Sequence, residues 1–316
     1  MESLPKVTFG FVNCNRLHYL KSCIESLIVS TDDYENREFI VVDNASVEEG
    51  TEGYLNELEE RGFTVLRQQE RDPANEYAKA CNFIVREATG DFISLVTGDI
   101  QFILKGGWLK EYVDFYSEHK DMIGCIAFDA QRRSRIRSSN FSPAFGSGNL
   151  KFVFDTSRFP ISGAGNVLYS REIIEMMYPW DEDNVSHEGG PDSESKMLHK
   201  IAAFLKENKL RVYQALPLYP NSVSINTDAR GTNARVRGNK RYGDYWAPKE
   251  DFRYYELNEF NKAIKKIEGK NKPLGIEEVV TAVGWDLPLD EYGDWKKNPI
   301  RPETASEGDY VVLYPE

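Results

Sequence analysis

The sequence predicts an α/β protein: a mostly parallel, twisted sheet flanked by helices, with a C-terminal extension. Three observations predict it. Short β-prone runs alternate with helical segments from the start of the chain, the order that βαβ units produce. The runs Val7 to Val12 (VTFGFV), Phe39 to Val42 (FIVV) and Phe92 to Val96 (FISLV) are continuously apolar, as strands covered on both faces must be. Polar residues stand just beyond those runs, at Asn13, Asp43 and Asp99, and open α/β sheets bind ligands at the carboxyl ends of their strands.

Element by element, Leu17, Leu20, Cys23, Ile24 and Leu27 follow the first strand at helical spacing, and Asn15 is placed to cap that helix. A polar amphipathic helix is expected from Tyr54 to Arg61, a short strand from Phe63 to Leu66 and a helix from Asn75 to Ala88. Beyond Gly106, a helix over Trp108 to Tyr116 and a strand over Ile123 to Phe128 are expected. Arg132 to Phe154, rich in Ser, Gly and Arg, reads as a loop or hairpin excursion. Strand character returns over Gly163 to Tyr169 and again over Val212 to Leu216. Between them Asp192 to Lys206 forms an amphipathic pattern, with Met197, Leu198, Ile201, Phe204 and Leu205 on one face. From about Arg230 the composition turns basic and aromatic, and Phe252 to Ile267 reads as a helix. These shifts divide the chain into a domain over 1–230 and an extension over 231–316.

The charge balance narrows the partners. A net charge of −12 disfavours general nucleic-acid binding, so an anionic ligand needs a local basic patch, backbone amides or a metal. The four cysteines form no CxxC pair and read as reduced, buried hydrophobes, which fits a cytoplasmic location. The opening MESLPKVTFGFVN lacks the layout of a signal peptide. No window reaches the roughly 18 apolar residues that span a bilayer, so any membrane contact is expected to be peripheral. Where a dinucleotide-binding domain carries GxGxxG after its first strand, VNCNR stands instead.

Several segments, taken in order, resemble the family-2 type glycosyltransferases of the GT-A (Rossmann-like) fold, over about Lys6 to Asn233. They are VTFGFVNCNRLHYLKSCIESL, FIVVDNAS, AKACNFIVREATGDFISLVTGD, GWLKEY and PWDEDNVSHEGGPDSESKML. The resemblance implies a nucleotide-sugar donor (a UDP-sugar foremost), a divalent cation (Mn or Mg), a glycan or glycolipid acceptor and a role in polysaccharide biosynthesis. Three departures stand out. The family's Asp-x-Asp metal motif is here Thr97-Gly98-Asp99-Ile100-Gln101, with a single carboxylate. Its Glu-Asp base motif reads Pro191-Asp192, and its late histidine has no counterpart near Asn226 to Asn233. The processive Gln-x-x-Arg-Trp signature is absent, which disfavours a polymer-extruding synthase.

Sugar transfer needs charge neutralised on the leaving diphosphate and a proton removed from the acceptor hydroxyl. Asp99, after a Gly98 that admits a diphosphate to the backbone, suits a bridging cation; the same carboxylate would also serve as a turn cap. Gln101 is a second candidate for that shell. Asp43 is implied to bind the nucleoside, with an Asx-turn as its plain alternative. Asn13 and Arg16 are expected to complete the nucleotide pocket. Asn82 fits either a ligand contact or a buried amide tying helix to sheet. The resemblance implies Asp192 as general base, where an ordinary helix cap is the other reading, with Glu194 and Glu188 as substitutes. The cationic stretch Arg230, Arg235, Arg237, Lys240 and Arg241 would either close over the diphosphate or form a solvated loop. Arg132, Arg133, Arg135 and Arg137 would meet an anionic acceptor or a membrane surface. The leading function is therefore an inverting, non-processive glycosyltransferase, and the alternative is a catalytically weak nucleotide-sugar-binding protein.

Overall fold

The computed structural model describes residues 4–72, 75–98, 100–102, 104, 106–121, 123–128, 141–144, 150, 152–155 and 165–182, with 200, 203, 207, 212–217, 223–226, 255–257 and 264–266 further on. In chain order the first elements are β1 (Val7–Asn13), α1 (Leu17–Ser30), β2 (Arg37–Asp43), α2 (Thr51–Glu60), β3 (Thr64–Arg67), α3 (Glu76–Glu87) and β4 (Phe92–Val96). Then follow β5 (Ile100–Phe102), α4 (Trp108–Glu118), β6 (Ile123–Ala127), β7 (Phe141–Ala144), β8 (Phe152–Asp155), β9 (Val167–Ser170) and α5 (Arg171–Met177). The last are β10 (Val212–Pro217), β11 (Ser224–Asn226), β12 (Tyr255–Leu257) and β13 (Ile264–Lys266).

The main sheet has nine strands in the order β3-β2-β1-β4-β9-β6-β10-β8-β7. β3, β2, β1 and β4 run parallel, as do β6 and β10. β9 runs antiparallel to both β4 and β6, and the β7–β8 hairpin pairs antiparallel onto β10. The sheet is thus mixed, parallel on the side that carries the first four strands. Because β9 is reversed, it begins at the edge where β4 and β6 end.

Both faces are covered, which explains the unbroken apolar runs. Phe9, Phe11 and Val41 pack with Leu20, Ile24, Leu55, Trp108 and Tyr112 in one core. Ile40, Val42, Ile93 and Leu95 pack with Ala78, Cys81, Ile84, Ile173 and Ile174 in the other. Alternate residues of each strand therefore enter opposite cores, as the pleat dictates. Gly10 allows α3 to lie close on β1: a Cβ there would come within 2.2 Å of Ile84 Cγ2. All four cysteines are unbridged. Among the described residues no helix is long and apolar enough to cross a membrane.

The structure corrects two element readings and adds three. Asn15 does not cap α1. It adopts a left-handed backbone (φ 47), and its Oδ1 accepts from Val47 N and Glu48 N at 2.6 and 3.1 Å. The N-cap position belongs to Arg16, whose side chain makes no cap bond; Leu17 N donates instead to Glu48 Oε2 at 2.8 Å. The segment read as a helix over Phe252 to Ile267 contains β12 and β13, paired antiparallel with Tyr255 opposite Lys266. Its aromatic and β-branched residues favour strands, and short apolar runs do not fix the period. β5, α5 and β11 were not expected; each is shorter than the window that periodicity needs. Of the amphipathic pattern over 192–206, Lys200 and Ala203 are helical and the remainder lies outside the described residues.

Candidate functional site

The candidate site lies at the carboxyl edge of β2, β1 and β4. Parallel register sets Asn13 opposite Asp43, and Phe11 opposite Val96, so the turn at Gly98 comes level with the end of β1. Asn13 and Asp43 are each only 4% exposed, so their polar atoms must find partners. Asn13 Nδ2 donates to Asp43 Oδ1 at 2.7 Å. Ser46 Oγ donates to the same oxygen at 2.6 Å, and Ser46 N donates to Asp43 Oδ2 at 2.9 Å. Asp43 therefore does form the local turn that its sequence allowed. A carboxylate has about four acceptor positions, so three internal bonds leave capacity for one more donor.

The two loops that follow β1 and β2 are laced together. Asn15 N donates to Ser46 Oγ at 2.8 Å, Asn44 N to Asn13 O at 2.9 Å, and Cys14 Sγ approaches Asn44 O at 3.4 Å. Asn15 and Glu48 complete the lacing. The capping of α1 has a consequence for ligand choice. In dinucleotide-binding folds the first helix N-terminus receives a pyrophosphate, whereas here a Glu48 carboxylate occupies its first N–H, leaving that position unsuited to a phosphate.

Charged groups surround this pocket. Arg16 lies 4.2 Å over the Tyr19 ring. Arg71 grips Glu76 through two bonds, Nε to Oε2 at 2.8 Å and Nη2 to Oε1 at 3.1 Å. Burial raises the Glu76 carboxyl, and Asp72 and Asp43 reinforce the rise against the Arg71 charge. Burial likewise pushes the Cys14 thiol up to about 12, with Glu76 adding to the effect, so Cys14 stays a thiol and is no nucleophile. Glu76 and Arg71 thus sense the same pocket as Asp43, Cys14 and Arg16. Sequence reading missed both, because neither sits in a patterned strand end.

At β4, Gly98 turns with φ +78, a conformation that disfavours any side chain, and the nearest atom to a Cβ there would be Val12 O at 3.9 Å. Among the described residues no other atom comes within 4 Å of that position. Asp99, the next residue, lies outside the described residues. β5 follows at once and pairs with β11, which places Asn226 opposite Ile100; Gln101 is buried within β5. Asn82 is engaged at both ends: Nδ2 donates to Trp180 O (2.9 Å) and Glu182 Oε1 (2.7 Å), and Oδ1 accepts from Trp180 N at 2.8 Å. It fastens α3 to the segment after α5. Asp192, Glu188, Glu194 and both arginine-rich stretches lie outside the described residues. The structure thus brings Asn13, Asp43 and Gly98 to one edge, and sets Asn82 to hold the chain that leads toward Asp192.

The donor chemistry available for a cation fits a shared coordination. Among the described residues no three His, Cys, Asp or Glu side chains cluster as a metal site. A carboxylate at position 99 could hold a cation only in part, leaving the rest of the shell to diphosphate oxygens and water, a division that Mg-like cations accept. Those oxygens would have to approach at Gly98, beside which a Cβ would meet only Val12 O among the described residues.

Comparison with known proteins bears on the fold and the family. A protein described as uncharacterized, y4gI of Sinorhizobium fredii (strain NBRC 101917 / NGR234), is 32% identical over 128 residues, 40% of this chain and 13% of that protein. The mannosyltransferase PcManGT from Pyrobaculum calidifontis, solved with GDP-Man and Mn2+, matches at TM-score 0.52 and 19% identity, covering 74% of this chain and 61% of its own. S. aureus TarS 1-349 matches at TM-score 0.47 and 16% identity, over 72% of this chain and 62% of its own. The chain therefore spans a small part of the curated relative and less than two thirds of these solved structures. The mannosyltransferase shares the GT-A fold with this chain. The sequence profile of glycosyl transferase family 2 matches residues 10–177, more than half of the chain, and the chain belongs to that family.

Proposed function

We propose that the protein is an inverting, non-processive glycosyltransferase. It transfers a sugar from a nucleoside-diphosphate donor, a UDP-sugar foremost, to a hydroxyl of a glycan or glycolipid in polysaccharide biosynthesis. The observation that carries the reading is the meeting of Asn13, Asp43 and the Gly98 turn on one edge of three adjacent parallel strands. That edge offers a nucleoside acceptor group beside a glycine backbone that, among the described residues, little else approaches. The capped N-terminus of α1 argues against a dinucleotide enzyme. In this reading residues 1–230 form the catalytic domain, 231–316 an extension, and the protein works in the cytoplasm.

In the mechanism, Asp43 accepts from the base or ribose, and Asn13 and Ser46 keep its carboxylate aimed. Arg16 flanks the nucleotide pocket. Gly98 lets the diphosphate lie against the chain, and Asp99 would hold the divalent cation, which when bound would supply a Lewis acid for the leaving diphosphate. Asp192 takes the acceptor hydroxyl's proton as the oxygen attacks the anomeric carbon. The new bond from oxygen to carbon forms as the bond to phosphate oxygen breaks, with inversion. Asn82 acts at a distance, anchoring the chain at Trp180 and Glu182.

A second reading is a nucleotide-sugar-binding protein with weak catalysis, favoured by the single carboxylate of the 97–101 segment. A thermal-shift series with nucleoside diphosphates, with and without Mn2+, tests the shared pocket. Stabilisation that needs the metal is expected, strongest with UDP; no stabilisation by any diphosphate would overturn both readings. Donor hydrolysis then separates them, since the binding protein leaves the donor intact.

A further inference from the structure

The turn at Gly98 is held from a strand that the site does not otherwise use. Asn166, immediately before β9, makes two side-chain bonds to Thr97: Thr97 N donates to Asn166 Oδ1 at 3.1 Å, and Asn166 Nδ2 donates to Thr97 Oγ1 at 2.8 Å. Its backbone is fixed as well. Asn166 N donates to Leu95 O at 2.7 Å, and Phe128 N donates to Asn166 O at 3.1 Å. Asn166 thereby joins the ends of β4 and β6 to the start of β9.

Two further features show that this grip is built. Asn166 adopts φ 58, a left-handed conformation that non-glycine residues take rarely and asparagine most readily. The neighbouring Gly165 presses on the same residue: a Cβ there would lie 2.6 Å from Thr97 Cγ2 and 3.3 Å from Tyr77 Oη. Thr97 is thus clasped by hydrogen bonds from one residue and by close backbone approach from the next. Neither contact serves the hydrophobic cores, and both act one and two residues ahead of Gly98 and Asp99.

We propose that Asn166 is a positioning residue for the donor site: it clamps Thr97 and so sets the Gly98 turn, which leads into Asp99, for the diphosphate and its cation. This rests on the reading that Asp99 holds the cation. The clamp touches no substrate. It narrows the orientations of the turn, so its loss lowers the affinity gained from metal while sparing the nucleoside contacts at Asp43, which stand on β2.

The experiment measures the dissociation constant of UDP by calorimetry in EDTA and in Mn2+, for wild type, Asn166→Gly, Thr97→Val, Thr97→Ser and the double variant Asn166→Gly/Thr97→Val. Glycine keeps the left-handed backbone and both backbone bonds, so Asn166→Gly removes the clamp alone. Asn166→Gly and Thr97→Val are each expected to lose roughly tenfold of the metal-dependent gain, the scale of one or two net hydrogen bonds. Metal-free affinity should stay within about twofold, Thr97→Ser should behave as wild type, and the double variant should be no worse than either single one. If Asn166→Gly does not fold, Thr97→Val and Thr97→Ser carry the comparison. An unchanged metal gain in both disrupting variants overturns the proposal, as does an equal loss with and without metal. A wild type that gains nothing from Mn2+ overturns the cation reading itself, and the clamp's role with it.

Discussion

Moving the carboxylate from position 43 to position 13 separates holding the pocket from reading the nucleoside. Asp43 is 4% exposed and accepts three bonds, from Asn13 Nδ2 (2.7 Å), Ser46 Oγ (2.6 Å) and Ser46 N (2.9 Å). Hydrogen bonds to a charged group are each worth about 1.5–3 kcal/mol net. Asp43→Asn keeps the oxygen facing Ser46 N but sets an amide NH2 against that of Asn13. Two of the three bonds then lose their acceptor, and Asn13 recovers part of the loss by turning its own amide over. We expect a net cost of about 3 kcal/mol, from a total stability of about 5–15 kcal/mol. The double variant Asn13→Asp/Asp43→Asn restores a carboxylate facing an amide, with the charge moved to position 13, and should recover most of that stability. It should not recover nucleoside binding: loss of one charge-assisted bond weakens UDP by about 10- to 150-fold in both variants. Urea unfolding gives the stabilities and calorimetry in EDTA gives the affinities, measured on the same preparations. If the double variant regains affinity together with stability, Asp43 only props the pocket. If Asp43→Asn unfolds like wild type, the three-bond network is not what holds these loops.

Three further expectations follow from other parts of the molecule. Asp99→Ala should abolish the metal-dependent part of UDP affinity while the thermal transition persists; unchanged Mn2+ dependence by calorimetry removes the cation from position 99. Asp192→Asn, nearly isosteric, should slow transfer by roughly 10²–10⁴-fold, the usual contribution of a general base. Its donor dissociation constant should change little, and near-normal transfer would move the role to Glu194 or Glu188. For Glu38, burial raises the carboxyl, but bonds from Thr8 and Thr89 outweigh it and hold the group below its ordinary value of 4.5. A carboxyl depressed in the folded state stabilises fully above its unfolded value and loses that contribution as pH falls through the folded one. Between pH 6 and 3 the urea midpoint of Glu38→Gln should therefore fall less than that of wild type; parallel curves would dismiss the Glu38 contribution.

The parts of this fold that can be read from sequence are those decided by local composition. β1, β2 and β4 are buried on both faces, so each is an unbroken apolar run, and their polar terminal residues mark the sheet edge without further information. The errors arise where the deciding partner is remote. Asn15 has the composition of a helix cap, but the helix's first N–H is satisfied by Glu48, 31 residues away. Asn166 contacts Thr97 across 69 residues. Its only local trace is an asparagine after Gly163-Ala164-Gly165, a context that tolerates left-handed backbone. Asn82 could be read as ligand contact or tie because its residue type suits both; only the bonds to Trp180 and Glu182 show what its amide holds. Glu76 and Arg71 precede or open a helix in a way that many surface pairs do, and burial beside Asp43 is not encoded in their spacing.

The reversal of β9 has a topological consequence for how such a protein diversifies. β6 ends and β9 begins on the same edge, with Ala127 paired to Val167, and β4 ends there too. The chain between Phe128 and Gly165 therefore leaves from the rim of the site and returns to it. The parts of that span outside β7 and β8 can change in length without shifting a residue of register in β4, β6 or β9. A reversed strand in the middle of the sheet thus returns one long connection to the edge it left, where its sequence can vary while the Asn13–Asp43 network, built from β1, β2 and the turns after them, stays as it is.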